Sequence, residues 1–147
     1  MNDVVVDASV VLRWAFDDEA DREGALRVAA ALIDGRLRAT GPATFLPEVA
    51  GVLVRAIRAR RLARESAEAI LAALVNVAID EAEPHGFAKA AMSISLAYGL
   101  HVQDACYLET ARRIGATLIT GDHAQFQAAV AAGIDAIPVN EVADFGG

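Results

Sequence analysis

The chain has one cysteine (Cys106) and one lysine (Lys89) in 147 residues, and aromatic residues make up only 5% of it. A lone cysteine has no partner for an internal disulfide, so packing must hold the fold together, and a reducing cytoplasm is the expected setting. The longest unbroken apolar run is Ala69 to Val75, far short of the ~20 residues a membrane-crossing helix needs. No membrane association is expected. Met1-Asn2-Asp3 is acidic and runs straight into a strand-like segment, which is not the pattern of a signal peptide. His85, His101 and His123 are scattered, and no Cys/His pair stands at zinc-ligand spacing. Repeats, low-complexity tracts and linkers are also missing.

What remains is rich in small aliphatic side chains. Apolar residues account for 55% of the chain, mostly Ala, Val, Leu and Ile, a mixture suited to helices packed on a sheet. The length fits one domain over residues 1–147. The formal charge is −7, which argues against a protein that coats nucleic acid non-specifically. It does not exclude an enzyme that meets phosphates through bound cations, because such ions reverse the local field. Basic residues are unevenly spread, with Arg55, Arg58, Arg60, Arg61 and Arg64 close together.

Strand and helix patterns alternate. Val4-Val5-Val6-Asp7 reads as a buried strand, and Ser9 is placed to cap a helix beginning at Val10. A polar turn at Asp17-Asp18-Glu19 leads to a helix over roughly 20–34, stopped by Gly35. Leu37 to Gly41 is a strand closed by Pro42; helices follow over about 43–60 and 65–79, then a brief strand at Glu81 to Glu83. Helices are expected at Gly86–Tyr98 and Val102–Ile114, with Gly99 and Gly115 as their stops. The strand Thr117–Thr120, a helix over about 123–132 and a strand at Ala136–Val139 complete the chain. The fold class is therefore α/β, with a mainly parallel central sheet of about five short strands flanked by helices. Ligands of such sheets sit beyond the carboxyl ends of the strands.

Two of those ends carry acids: Asp7 after Val4-Val5-Val6, and Asp122 after Leu118-Ile119-Thr120-Gly121. Glu48 lies in the apolar stretch Phe45-Leu46-Pro47-Glu48-Val49-Ala50, and Asp104 opens Asp104-Ala105-Cys106-Tyr107-Leu108. Each has a plainer explanation. Asp122 suits a turn or helix cap, Asp104 suits the positive end of a helix dipole, and Glu48 suits a salt bridge with Arg55 or Arg13. Together, several carboxylates in one low-dielectric site repel one another, and a hard divalent cation removes the conflict. Carboxylate-only ligation points to Mg²⁺ or Mn²⁺.

Val4-Val5-Val6-Asp7-Ala8-Ser9, Leu46-Pro47-Glu48-Val49-Ala50, Val102-Gln103-Asp104-Ala105-Cys106-Tyr107-Leu108 and Leu118-Ile119-Thr120-Gly121-Asp122 follow one another with acids at intervals of 41, 56 and 18 residues. In that order they resemble a PIN domain, and specifically a VapC-type toxin of a toxin–antitoxin pair. The resemblance implies a single three-layer PIN-like domain. It also implies a metal-dependent endoribonuclease in which Asp7, Glu48, Asp104 and Asp122 bind one or two Mg²⁺ or Mn²⁺ ions, with Ser9 and Thr120 orienting ligands or phosphate. An RNA substrate, a VapB-type antitoxin and a homodimer are the implied partners.

Arg55 and Arg58, three residues apart on one helical face and continued by Arg61, are expected to guide RNA, or else to solvate a helix end. Cys106 is expected to be buried and inert, and Trp14, Phe16 and Phe45 to be core or interface. The alternatives are a non-catalytic PIN-type module that binds RNA or protein, and a Mg-dependent phosphatase or phosphoacceptor. The second is disfavoured because Ser9 occupies the position where a haloacid-dehalogenase-like enzyme needs its second acid. A receiver's acid pair and late lysine are missing as well.

Overall fold

The computed structural model describes residues 2–16, 22–74, 78–80 and 86–143. Its centre is the strand β1 (Asn2–Val6), whose valines are all buried. A strand apolar on both faces has to be covered on both, which is the environment of a central parallel strand. β1 pairs in parallel with β2 (Leu37–Pro42) on one side and β4 (Thr117–Thr120) on the other. β3 (Ala78–Asp80) and β5 (Ala136–Pro138) complete a five-stranded parallel sheet in the order β3-β2-β1-β4-β5.

Helices fill the two outer layers. Val5 and Leu118 face one cluster with Phe45, Val49, Leu53, Tyr107 and Leu108, from α3 (Phe45–Arg58) and α6 (Val102–Ile114). Val4, Val6 and Ile119 face the other, with Ala25, Val28 and Ala31 of α2 (Arg22–Ile33). Alternation along the strand thus feeds two cores, the three-layer arrangement expected from the residues. α5 (Phe87–Tyr98) lies against α6, burying Cys106 with Phe87 and Ala91.

The chain runs β1→β2→β3 outward, then returns to place β4 on the opposite side of β1. Strand order reverses between β1 and β4, and such a switch point opens a crevice beyond their carboxyl ends. The helices α1 (Ala8–Ala15) and α7 (His123–Ala131) start there.

Most expected elements are present, α6 and β4 with the boundaries read from the sequence, and Gly99 and Gly115 do end α5 and α6 in left-handed conformations (φ 68° and 65°). Two differ. Ser9 does not cap α1; Asp7 does, its extended backbone placing the carboxylate to accept the Ser9 N–H at 3.0 Å. The helix expected over 65–79 is α4 (Arg64–Ala73), and Ala78–Asp80 instead pairs with Thr40–Pro42 of β2. Sheet pairing overrides a helical pattern there, as tertiary context often does. The strand expected at Glu81–Glu83 and the turn at Asp17–Glu19 lie outside the described residues.

The second layer depends on a close approach. A Cβ on Gly24 of α2 would stand 1.8 Å from the Val139 carbonyl oxygen, in the 3-10 turn Val139–Glu141 after β5. Gly24→Ala should therefore force α2 off that turn and cost about 1–3 kcal/mol, read as a lower urea midpoint. An unchanged midpoint would mean that α2 does not lie against residues 139–141.

Candidate active site

Asp7 sits at the end of the central strand, where its backbone N–H still donates to Ile119 across β4 at 3.0 Å. Its side chain turns into the crevice and is only 5% exposed. One strand over, Thr120 is buried at the end of β4, and Asp122 caps α7 by accepting the Gln125 N–H at 3.1 Å. Glu48 and Asp104 come from the first turns of α3 and α6 and are half-buried. Their amino-terminal placement favours negative charge.

The four acids are near enough to act on one another electrostatically. Asp7, Glu48 and Asp104 each bind protons more tightly than ordinary carboxyls, with burial as the largest cause for all three. Repulsion adds to it: Asp122 acts on Asp7, Asp7 and Asp104 on Glu48, and Asp7 and Asp122 on Asp104. Opposing groups are few. The Ser9 and Gln125 hydrogen-bonding groups favour ionised Asp7, Tyr107 and Arg55 favour ionised Glu48, and His101 favours ionised Asp104.

Glu109 shows what a structural acid looks like in the same helix as Asp104. It is buried too, but Arg112 Nε donates to it at 2.9 Å and Arg113 Nε at 2.6 Å, and its carboxyl is held below the ordinary range, chiefly by the Arg112 hydrogen bond. Among the described residues, no arginine pair clamps Asp7, Glu48, Asp104 or Asp122 in that way. The salt bridge considered for Glu48 is not what holds it: its Oε2 accepts from the Tyr107 hydroxyl at 2.9 Å. Arg13 donates instead to the carbonyls of Ser9 (2.7 Å) and Gly121 (3.3 Å). Burial, foremost, together with Asp7 and Glu48 raises the Tyr107 phenol far above its ordinary value, so it stays a donor.

Among the described residues, no three His, Cys, Asp or Glu side chains already share a ligating position. The chemistry of the donor set still fits a hard divalent cation. The oxygens are carboxylate oxygens, and their burial and mutual repulsion outweigh the few groups that favour their ionised forms. Mg²⁺ in particular is held by one or two carboxylates while keeping much of its water.

The hydroxyls expected near the acids are there. Ser9 Oγ accepts from the Gly121 N–H at 3.0 Å and Thr120 Oγ1 from the Asp122 N–H at 3.0 Å, so both brace the β4–α7 turn. The arginines divide. Arg55 is exposed and acts on Glu48, whereas Arg58 lines a groove of about 350 Å³ between α3 and α4, with Leu53, Val54, Ile57 and Leu71. Arg61 leaves that face and covers the Phe16 ring, 4.2 Å from its centroid. His123 and Asp122 border a second, smaller pocket with Phe126 and Asn140.

Gln125 and Tyr107 were not singled out from the sequence, yet both contact the acids. Asp122-His123-Ala124-Gln125 has the spacing of a capping box, and Tyr107 lies one helical turn after Asp104. Those were the available signals.

The PIN domain family matches residues 4–131. The chain belongs to that family. By sequence, none of the curated proteins matches it. The fold is similar to that of PAE2754 from Pyrobaculum aerophilum (TM-score 0.68, 20% identity, 94% of this chain and 90% of that one). It is also similar to VapC20 of Mycobacterium tuberculosis, a sarcin-ricin-loop-cleaving toxin (0.64, 19%, 89% and 95%). FitAcB from Neisseria gonorrhoeae is a third such structure (0.62, 16%, 94% and 99%).

Because the folded-state affinity of Asp7 for its proton is raised, its contribution favours folding most below the ordinary carboxylate range. That advantage is lost as pH rises through the raised value. Asn keeps a capping oxygen, so Asp7→Asn should stabilise the metal-free protein by roughly 1 kcal/mol at neutral pH. The gain should shrink towards about pH 4. Denaturation in EDTA measures it, and a variant less stable than the parent at neutral pH would contradict the repulsion.

Proposed function

We propose that this PIN domain is a Mg²⁺- or Mn²⁺-dependent endoribonuclease and the toxin of a VapBC-type pair. The observation that supports this most is the convergence of Asp7, Glu48 and Asp104, each with its proton affinity raised by burial and by neighbouring acids, at the switch point of the sheet. PIN domains are in general metal-dependent nucleases, and a structural relative is a toxin that cleaves the sarcin-ricin loop.

In this reading Asp7 and Asp104 are the principal ligands, with Glu48 and Asp122 beside them. These carboxylates would hold a divalent cation, which would supply positive charge for phosphate oxygens and make water easier to deprotonate. The protein does the positioning. Ser9 and Thr120 hold the β4–α7 turn so that Asp122 faces Asp7 and Asp104, and the Tyr107 hydroxyl fixes one oxygen of Glu48. Burial, foremost, raises the proton affinity of Glu48, and its half-buried carboxyl is a candidate to exchange a proton in the reaction. Arg55, exposed near Glu48, meets the RNA backbone.

The antitoxin in this reading is a short partner that lays apolar side chains in the groove between α3 and α4. Leu53, Val54, Ile57 and Leu71 line that groove, with Arg58, Arg64 and Glu68 among its polar residues. A homodimer is proposed on the same apolar helices. Among the described residues no helix is long and apolar enough to cross a membrane.

The test is incubation of the pure protein with structured RNAs and Mg²⁺ or Mn²⁺. Cutting should stop with EDTA and fall by at least about 100-fold in Asp7→Asn. Undiminished cutting by the double mutant Asp7→Asn/Asp104→Asn would refute the assignment, and RNA binding without cutting would favour a non-catalytic module. Arg55→Ala should weaken RNA binding and lower the salt slope by about one; an unchanged slope would return Arg55 to solvation of the helix end.

A further inference from the structure

Gln125 is fully buried (0% exposed), in the first turn of α7. Its partners come from separate parts of the chain. Its Oε1 accepts from the Thr120 hydroxyl at 2.6 Å, and its Nε2 donates to the Asp104 carbonyl at 3.2 Å. The backbone N–H donates to the Asp122 carboxylate, and the side-chain amide acts on Asp7 in favour of its ionised form. One residue therefore reaches three of the four acids, on three different segments.

The amide orientation is settled by its neighbours. The Asp104 carbonyl can only accept, so the amide atom facing it is the nitrogen, and the amide oxygen on the other side accepts the Thr120 hydroxyl proton. Nitrogen is then directed to the Asp104 carbonyl and the Asp7 side. A buried amide with these donors and acceptors satisfied is held in place, because any rotation strands a buried polar group. A carboxylate in the same place would offer no protons to Asp104 or Asp7 and would add a fifth charge to the cluster.

We infer that Gln125 is a positioning residue: its neutral amide, bonded to the Asp104 main-chain carbonyl and to the Thr120 hydroxyl that accepts the Asp122 N–H, sets the spacing of the segments bearing Asp7, Asp104 and Asp122 and thereby the affinity of the site for a divalent cation. This rests on the metal-dependent reading above. Groups that orient ligands from behind are typically worth about 10–100-fold in metal affinity or activity when removed.

Mn²⁺ titration calorimetry on the intact protein, well below its unfolding temperature, gives the test. Gln125→Leu should bind Mn²⁺ roughly 10–100-fold more weakly than the parent, with kcat reduced and the KM for RNA little changed. Gln125→Asn, which keeps an amide, should recover part of the loss. In the parent, the Gln125 side-chain amide resonances should move when Mg²⁺ is added, a readout independent of any variant's ability to fold. A folded Gln125→Leu with parental Mn²⁺ affinity, or amide resonances indifferent to Mg²⁺, overturns the inference while leaving the nuclease reading in place. A parent that binds neither ion overturns both.

Discussion

Asp7 bears the conflict around which this molecule is arranged. Its carboxylate is buried at the end of the central strand, caps α1 through the Ser9 N–H, and, among the described residues, is acted on by another acid without a guanidinium clamp. A charge so placed is costly unless something neutralises it. The fold does not neutralise it from within, although the Glu109 pair of arginines shows that the same chain can do so elsewhere. Stability is given up locally at a place where the topology opens a crevice. That combination marks a functional site better than any single residue does.

The parallel sheet makes the convergence possible. β1 and β4 are neighbours in register, so Asp7 and the Thr120-Gly121-Asp122 turn emerge at one level on one edge. Helices then deliver Glu48 and Asp104 by their amino-terminal turns. Residues separated by 18 to 115 positions in sequence come to one edge because strands and helix starts share it.

Much of this was legible beforehand, and for physical reasons. Three consecutive valines could only be a doubly buried strand, and glycines at 99 and 115 could only end helices that began with the right periodicity. The acids stood out because each interrupts residues that belong inside. What escaped notice was decided by long-range geometry. Asp7 and Ser9 are both good cap formers, and only the point at which β1 ends chooses between them. Ala78–Asp80 has a helical neighbourhood and becomes strand because β2 offers an unpaired edge. Gln125 looks like the solvent-facing member of a cap, and only the contact of α7 with α6 reveals that it turns inward.

The Arg13 guanidinium rests on Gly121, where an added Cβ would lie 2.4 Å from Arg13 Cζ. The two positions thus share one volume, the first turn of α1 being tied by that cation to the loop that carries Asp122. A larger residue 121 would therefore push the guanidinium, the movable end of Arg13, off the Gly121 carbonyl and loosen the tie between α1 and that loop.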